Sequence, residues 1–206
     1  VRYSLSSELI LGSFAGSLNN RGERISLLDQ DDILIDTVQY DDNFPWPITP
    51  DGIGSSLERN CFESDFDDPS AWSASPLNRP SPGAQNNIES CENRGASTVR
   101  VSEILYHPAT KTEDDRATEF IELANVGSAA VSLAGWVIAG DVFYVFDDNA
   151  TLAPNQPILI ARDPSSLIAN ENLNPNIVFG PYAGELPNGG GEILLVKNDG
   201  RLADRI

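Results

Sequence analysis

An internal repeat constrains the fold of this 206-residue chain more than any other sequence feature. Residues 9–38 align without a gap with residues 177–206, at an offset of 168 positions. This offset is too long for one unit of a solenoid and suits a whole domain with a linker. The sequence therefore predicts two copies of one domain, each incomplete. The residues that recur identically in the second segment include Gly12, Gly16, Leu18, Asn20, Gly22, Ile25, Leu27, Leu34 and Asp36.

A linker is expected between the two copies. The stretch from Ser73 to Thr98 is rich in Pro, Ser, Asn and Gly and lacks hydrophobic periodicity, which is typical of a linker. We therefore expect the closing part of a first domain over residues 1–86, a linker over 87–98, and the opening part of a second domain over 99–206.

Three arrangements fit two incomplete copies. In the first, the chain is a processed or excised piece of a longer protein, which its start at Val1 and its lack of Met favour. In the second, the opening part of one subunit joins the closing part of another in a head-to-tail manner, and the assembly extends into a filament. In the third, residues 99–206 pair with residues 39–86 inside one permuted domain.

The secondary-structure signals are almost entirely those of short strands, separated by Gly, Pro, Asn and Asp turns. Many short strands at such spacing predict an all-β sandwich or barrel. One short helical turn is expected at Ser165–Asn170, and Asn198-Asp199-Gly200 is a hairpin signal. The predicted strands are Arg24–Leu28, Leu34–Tyr40, Arg100–Tyr106, Glu119–Asn125, Trp136–Ala139, Val142–Phe146, Ile158–Ala161, Ile177–Phe179 and Glu192–Val196.

Several motifs in the right order resemble a known family. VSEILYHP at 101–108, EFIELANVG at 119–127 and LAGWVIAG at 133–140 resemble the opening of a lamin tail domain. Residues 16–42, then Pro45–Pro47, Asp51–Arg59 and Ser81–Asn86, resemble the closing half of its bacterial form. The resemblance implies an immunoglobulin-like β-sandwich that serves as a binding or tethering module, and family membership fixes a fold better than a function.

The charge balance restricts the partners of the chain. It carries 13 Lys and Arg against 31 Asp and Glu, a formal net charge of −18. Phosphates would be repelled, so we expect no nucleic-acid partner. No run approaches the 18 or so apolar residues of a membrane span, so we expect no membrane insertion.

Two cysteines, Cys61 and Cys91, indicate the redox setting. A pair in an acidic, Met-free chain suits an extracellular or cell-surface protein, where the two can form one disulfide. The alternative is two free thiols. On this basis we expect a secreted protein.

Catalytic motifs are missing from the sequence, and carboxylates are its one candidate chemistry. His107 is the single histidine, and no nucleophile elbow or phosphate-binding loop occurs. We therefore expect no enzymatic activity. Acidic residues cluster in turns, and the densest cluster is Glu63, Asp65, Asp67 and Asp68, beside Cys61. Calcium favours such oxygen ligands, so this cluster is the candidate calcium site, with solvated turns as the alternative.

These observations predict a non-catalytic extracellular structural or adhesion module, as a subunit or repeat of a surface or filamentous assembly. Its partners would be proteins, through self-association or neighbouring repeats. Two alternatives stay open: an accessory binding domain of a secreted hydrolase such as a nuclease or phosphatase, and a calcium-dependent module that binds glycans or proteins. Apart from calcium, no cofactor is expected.

Overall fold

The computed structural model describes residues 5, 7–60, 67–86, 97–108 and 116–206. The chain divides into two compact units. Unit 1 comprises Val1–Arg94 with Asn198–Arg201, and unit 2 comprises Gly95–Lys197 with Leu202–Ile206. Among the described residues, no helix is both long and apolar enough to cross a membrane.

Short strands dominate both units. The strands of unit 1 are β1 (Glu23–Leu28), β2 (Leu34–Tyr40), β3 (Leu57–Arg59) and β4 (Trp72–Ala74). The first strands of unit 2 are β5 (Val99–Leu105), β6 (Phe120–Asn125), β7 (Val131–Ser132), β8 (Val137–Gly140), β9 (Val142–Val145), β10 (Thr151–Leu152) and β11 (Ile158–Ala161). Helix α1 (Pro164–Glu171) follows, and then β12 (Val178–Phe179), β13 (Ala183–Gly184), β14 (Ile193–Val196) and β15 (Leu202–Arg205).

The described residues of unit 1 form two antiparallel strand pairs. Strand β1 pairs with β2, and β3 pairs with β4. Side-chain hydrogen bonds shape the turn between β1 and β2, because the Asp29 Oδ1 atom accepts from the backbone N–H groups of Asp31 and Ile33. Asp32 takes the left-handed conformation at this turn, with φ of 60°. Aspartate tolerates this conformation better than most residues, so the acidic run suits the turn it forms.

Unit 2 is a sandwich of two sheets. The four-stranded sheet has the order β12-β11-β6-β5, and the five-stranded sheet has the order β13-β9-β8-β14-β15. Both sheets supply the apolar core: Ile121 and Leu123 come from β6, and Ile138 and Leu195 come from β8 and β14. These four side chains are fully buried. The predicted all-β, immunoglobulin-like sandwich is therefore confirmed.

Helix α1 packs on the outside of the four-stranded sheet. Its Leu167 is fully buried against Leu159 and Ala161 of β11. Asp163 caps its first turn by accepting from the hydroxyl and the backbone N–H of Ser166, and these hydrogen bonds lower the pKa of the Asp163 carboxyl. The helix ends at Asn172, in the left-handed conformation. The helical turn expected at Ser165–Asn170 is therefore part of this longer helix.

The nine strands predicted from the sequence all occur, with ends that differ by one residue or less. One feature of the predicted linker is wrong, because Ser73 and Ala74 belong to β4 and pair with β3. The linker composition misleads here because a three-residue strand carries no periodicity. Residues 87–96 of the linker lie outside the described residues.

Candidate functional site

Two members of the candidate calcium cluster are described, and both are engaged in hydrogen bonds with protein groups. The Asp67 carboxylate accepts from the Arg24 guanidinium at 3.1 Å and from the backbone N–H of Gln39 at 2.7 Å. Asp68 caps a single 3₁₀ turn by accepting from the backbone N–H and hydroxyl of Ser70. Glu63 and Asp65 lie outside the described residues, so the calcium site remains a prediction.

Other acidic turns use their carboxylates in the same way. Asp147 accepts from the backbone N–H of Asn149. Asp41 accepts from the side chain and backbone of Asn43, and these hydrogen bonds lower the pKa of its carboxyl. Within the described part of the chain, no three His, Cys, Asp or Glu residues are grouped as metal ligands would be.

The remaining candidates from the sequence give no chemical site. Cys61 and Cys91 both lie outside the described residues, so their pairing remains a prediction. His107 is exposed beyond the end of β5. Trp136 is buried in the core of unit 2, and Trp46 packs against Trp72 with ring centroids 6.1 Å apart.

The most buried carboxylate of the sandwich serves the fold. Glu119 is 2% exposed and accepts a hydrogen bond of 3.0 Å from the phenol of Tyr182. The Arg162 guanidinium lies 3.9 Å from the same carboxylate. Burial raises the pKa of the Tyr182 phenol, and the Glu119 charge raises it further. This group ties the start of β6 to the segment before β13, and the sequence alone did not single it out.

A second buried polar residue, Asn125, holds three segments of the chain together. Its Oδ1 atom accepts from the Thr98 hydroxyl and the Gly127 backbone N–H, each at 2.9 Å. Its Nδ2 atom donates to the carbonyl oxygens of Ala129 at 2.7 Å and Leu152 at 3.1 Å. One amide thus satisfies four polar groups, which is why it tolerates 1% exposure.

The repeat found in the sequence forms the same hairpin in each unit. In unit 1, Leu27 lies opposite Asp36 and Leu28 opposite Leu34, with a register shift between Leu27 and Leu28. In unit 2, Leu195 lies opposite Asp204 and Val196 opposite Leu202, with a register shift between Leu195 and Val196. All these positions are related by the same offset. The repeat therefore fixes strand register and the position of the irregularity as well as residue type.

Glycines support the same backbone path in both hairpins. Gly16 and Gly184 have φ of 97° and 90°, and Gly22 and Gly190 have φ of 95° and 100°. Residues other than glycine rarely adopt this region. At Gly22 a Cβ atom would also collide with the carbonyl oxygen of Tyr40.

The two hairpins differ in what covers them. Leu27 is 61% exposed, whereas Leu195 is fully buried; Leu18 is 58% exposed, whereas Leu186 is 6% exposed. Phe14 is 71% exposed, and Tyr182 at the equivalent position is 5% exposed. The inner face is therefore buried in unit 2 and open in unit 1. We call this surface of unit 1 the open hairpin face: Phe14, Leu18, Ile25, Leu27 and Leu28.

A cleft lies beside the hairpin in each unit. The unit 1 cleft, of about 530 Å³, is lined by Leu18, Ile25 and Val38, with Leu57 and Trp72 on its other side. The unit 2 cleft, of about 240 Å³, is lined by the equivalent residues. These are Leu186, Ile193 and Ile206, and they face Ile104 and Tyr106 of the β5 end. The two clefts are lined by equivalent hairpin residues, whereas the remaining lining residues differ.

A comparison with known families identifies the sandwich. Residues 92–206 match the family model of the Lamin Tail Domain. The matched segment is more than half of the chain and contains every described residue of unit 2. It also contains the three opening motifs, so the resemblance is confirmed, whereas the tandem arrangement remains a prediction. No curated protein matches the chain.

Proposed function

The chain belongs to the lamin tail domain family, and we propose that it is a structural or adhesion module that acts outside the cell. The family consists of immunoglobulin-like domains, a fold compatible with a non-catalytic binding or structural role. Beyond this coarse role, we propose that the chain is a repeat or subunit of a surface or filamentous assembly.

The use of polar side chains in unit 2 to join distant segments is the observation that carries this proposal. Glu119 binds Tyr182, and Asn125 binds three segments of the chain, at Thr98, at residues 127–129 and at Leu152 of β10. The Asp141 carboxylate accepts from the backbone N–H of Glu192, and the Asp204 carboxylate accepts from the backbone N–H of Val101. Each of these groups joins strands or loops that are distant in sequence. This use of polar side chains suits a domain selected for rigidity.

The charge of the chain supports a role between proteins. A net charge of −18 keeps such a module soluble and repels anionic partners such as nucleic acid. The aspartate-rich turns carry much of this charge, and their carboxylates organise the turns. A surface module of this kind would contact other proteins through its sheet edges.

The proposed location is tested by labelling intact source cells with an antibody raised against the full chain. An antibody against a cytoplasmic protein of the same cells is the control. Labelling of intact cells by the first antibody alone is the expected result. Labelling that requires permeabilisation would contradict the proposed location.

The proposed absence of catalysis is tested with the purified full chain and chromogenic phosphodiester, phosphomonoester and glycoside substrates. We expect the same hydrolysis rate from the native and the heat-denatured chain. Turnover by the native chain alone, retained through chromatography, would contradict a non-catalytic module and favour a hydrolase.

A further inference from the structure

Strand β1 has one edge that pairs with β2 and a second edge that faces away from β2. In the described part of the chain, β1 belongs to a two-stranded sheet with β2. Its equivalent β14 lies inside a five-stranded sheet, between β15 and β8. Leu195 of β14 lies opposite Ile138 of β8, and Ile193 lies opposite Gly140. An unpaired edge beside exposed leucines is a surface to which another strand can be added.

The residues that cover the hairpin in unit 2 define what would fit the open hairpin face. Strand β8 pairs with β14 along its edge, and its Val137, Ile138 and Ala139 are all buried. The backbone N–H of Val101 in β5 donates to Asp204 at 2.9 Å. Glu119 of the segment before β6 accepts from Tyr182. All these groups come from residues 97–168, which we call the opening half.

In unit 2 the apolar residues that the two copies of the repeat share are buried in the core. Leu186, Ile193 and Leu195 are buried in the unit 2 core, and the same residue types stand at Leu18, Ile25 and Leu27 in unit 1. Asp36, the equivalent of Asp204, has a side chain that is 47% exposed, although Arg59 binds it. The open hairpin face thus presents, at these positions, the side chains that the opening half contacts in unit 2.

We propose that the open hairpin face is a docking surface for the opening half of a lamin tail domain, with a strand of the β8 type added antiparallel to β1. In the docked state Leu27 lies opposite the residue equivalent to Ile138, and Ile25 lies opposite the residue equivalent to Gly140. The inference rests on the proposed structural role, to which it adds a partner.

A second copy of the same chain is a poor occupant on physical grounds. Its opening half already covers β14 and β15. To cover β1 of another copy, it would have to release its own hairpin, which would then expose Leu195 and Val196. The exchange would bury one apolar face and uncover an equivalent one, so hydrophobic burial gives it no net driving force. The occupant is therefore an opening half whose hairpin position is vacant.

A fused chain tests the proposal with the complete protein. A copy of residues 97–168 is joined directly to Val1, which keeps the offset of the repeat because residue 169 is equivalent to residue 1. Hydrogen exchange of the β1 amides is then measured in the fused and the original chain. We expect exchange of the alternate amides of residues 24–28 that face away from β2 to slow by about tenfold or more in the fused chain. The matched control is a fused chain with Ile138→Asp in the added copy, which should restore fast exchange.

A second variant separates docking from a general failure of the added segment to fold. In the fused chain the added copy of Glu119 would face Phe14, which lacks the hydroxyl that Tyr182 provides. Phe14→Tyr should therefore raise the melting temperature of the fused chain by about 3 °C or more. The same substitution should leave the original chain unchanged, because Phe14 is exposed there.

The remaining outcomes overturn the proposal. Unchanged exchange in β1 of the fused chain, together with no selective effect of Phe14→Tyr, shows that the opening half does not dock. A dimer of the original chain that Leu27→Asp dissociates shows that a second copy is the occupant. Neither result bears on the labelling of intact cells, so failure of the docking proposal and of the proposed function are distinguishable.

Discussion

The phenol of Tyr182 donates a hydrogen bond to the Glu119 carboxylate across 3.0 Å in the interior of unit 2. The two residues are 63 positions apart, and each is at most 5% exposed. A buried charge of this kind is tolerated when hydrogen bonds and an opposite charge accompany it. Here Arg162 supplies the opposite charge. The pair therefore fixes the start of β6 relative to the segment before β13.

Replacing the phenol should destabilise the sandwich. Tyr182→Phe removes the hydrogen bond to a buried carboxylate, so we expect the free energy of unfolding to fall by about 2 kcal/mol. Chemical denaturation of the full chain at neutral pH measures the loss. The matched control is Tyr106→Phe at an exposed tyrosine, which should change stability by less than about 0.5 kcal/mol. Equal effects of the two variants would contradict the assigned role of Tyr182.

Alkaline pH should destabilise the chain through the same phenol. The pKa of Tyr182 in the folded chain lies above its ordinary value of 10.0, because burial and the Glu119 charge disfavour the phenolate. The stabilisation is therefore fully present below pH 10 and is lost as the pH rises towards the folded pKa.

Urea unfolding between about pH 8 and pH 11 checks this dependence. Tyr182→Phe should reduce the alkaline slope. The slope should not vanish, because the pKa values of Tyr40 and Tyr144 are also raised by burial. An unchanged slope in the variant would show that Tyr182 ionises equally easily in the folded and unfolded chains.

Truncation of Asn125 should lower the free energy of unfolding more than a typical surface substitution does. Asn125→Ala removes the partner of two carbonyl oxygens, one N–H group and one hydroxyl, so we expect a loss of about 2 to 4 kcal/mol. Asn125→Asp should also destabilise, because a carboxylate would face the Ala129 and Leu152 carbonyls. The control is Asn188→Ala at an exposed loop position. Thermal unfolding of all three variants ranks them, and a wild-type melting temperature for Asn125→Ala would refute the role.

The acidic cluster gives a test that separates structural carboxylates from a calcium site. Asp67→Asn weakens the contacts to Arg24 and to the Gln39 backbone, so stability should fall by about 1 kcal/mol. This loss should be the same in calcium and in chelator, measured by denaturation in both buffers. A loss that appears only with calcium, together with a calcium-dependent melting shift of the wild-type chain, would instead assign the cluster as a calcium site.

The strand framework of the sandwich can be predicted from the sequence because its long strands carry clear apolar runs. Ile158–Ala161 is predicted to the residue, and the hairpin signal at Asn198-Asp199-Gly200 lies between β14 and β15. Strands β3 and β4 escape prediction for a physical reason. Each has three residues. Glu58 and Ser73 are buried although they are polar, so the hydrophobic pattern would place them on the surface.

The polar groups that hold the fold together are harder to predict from the sequence. In the sequence Glu119 only disturbs the alternation of a strand, and its partner Tyr182 lies in a different segment. The burial of Asn125 likewise depends on loops that end up near it after folding. The repeat predicts that two hairpins share a register, but their contrasting exposure depends on which segments cover them.

Hydrogen exchange on the unmodified chain compares β1 and β14, which are equivalent strands in different surroundings. We expect strong protection of the amides of residues 193–196 and rapid exchange of alternate amides in residues 25–28, with rates that differ by about a hundredfold or more. Equal protection of the two strands would mean that the open hairpin face is already covered, and the proposed docking surface would then not exist.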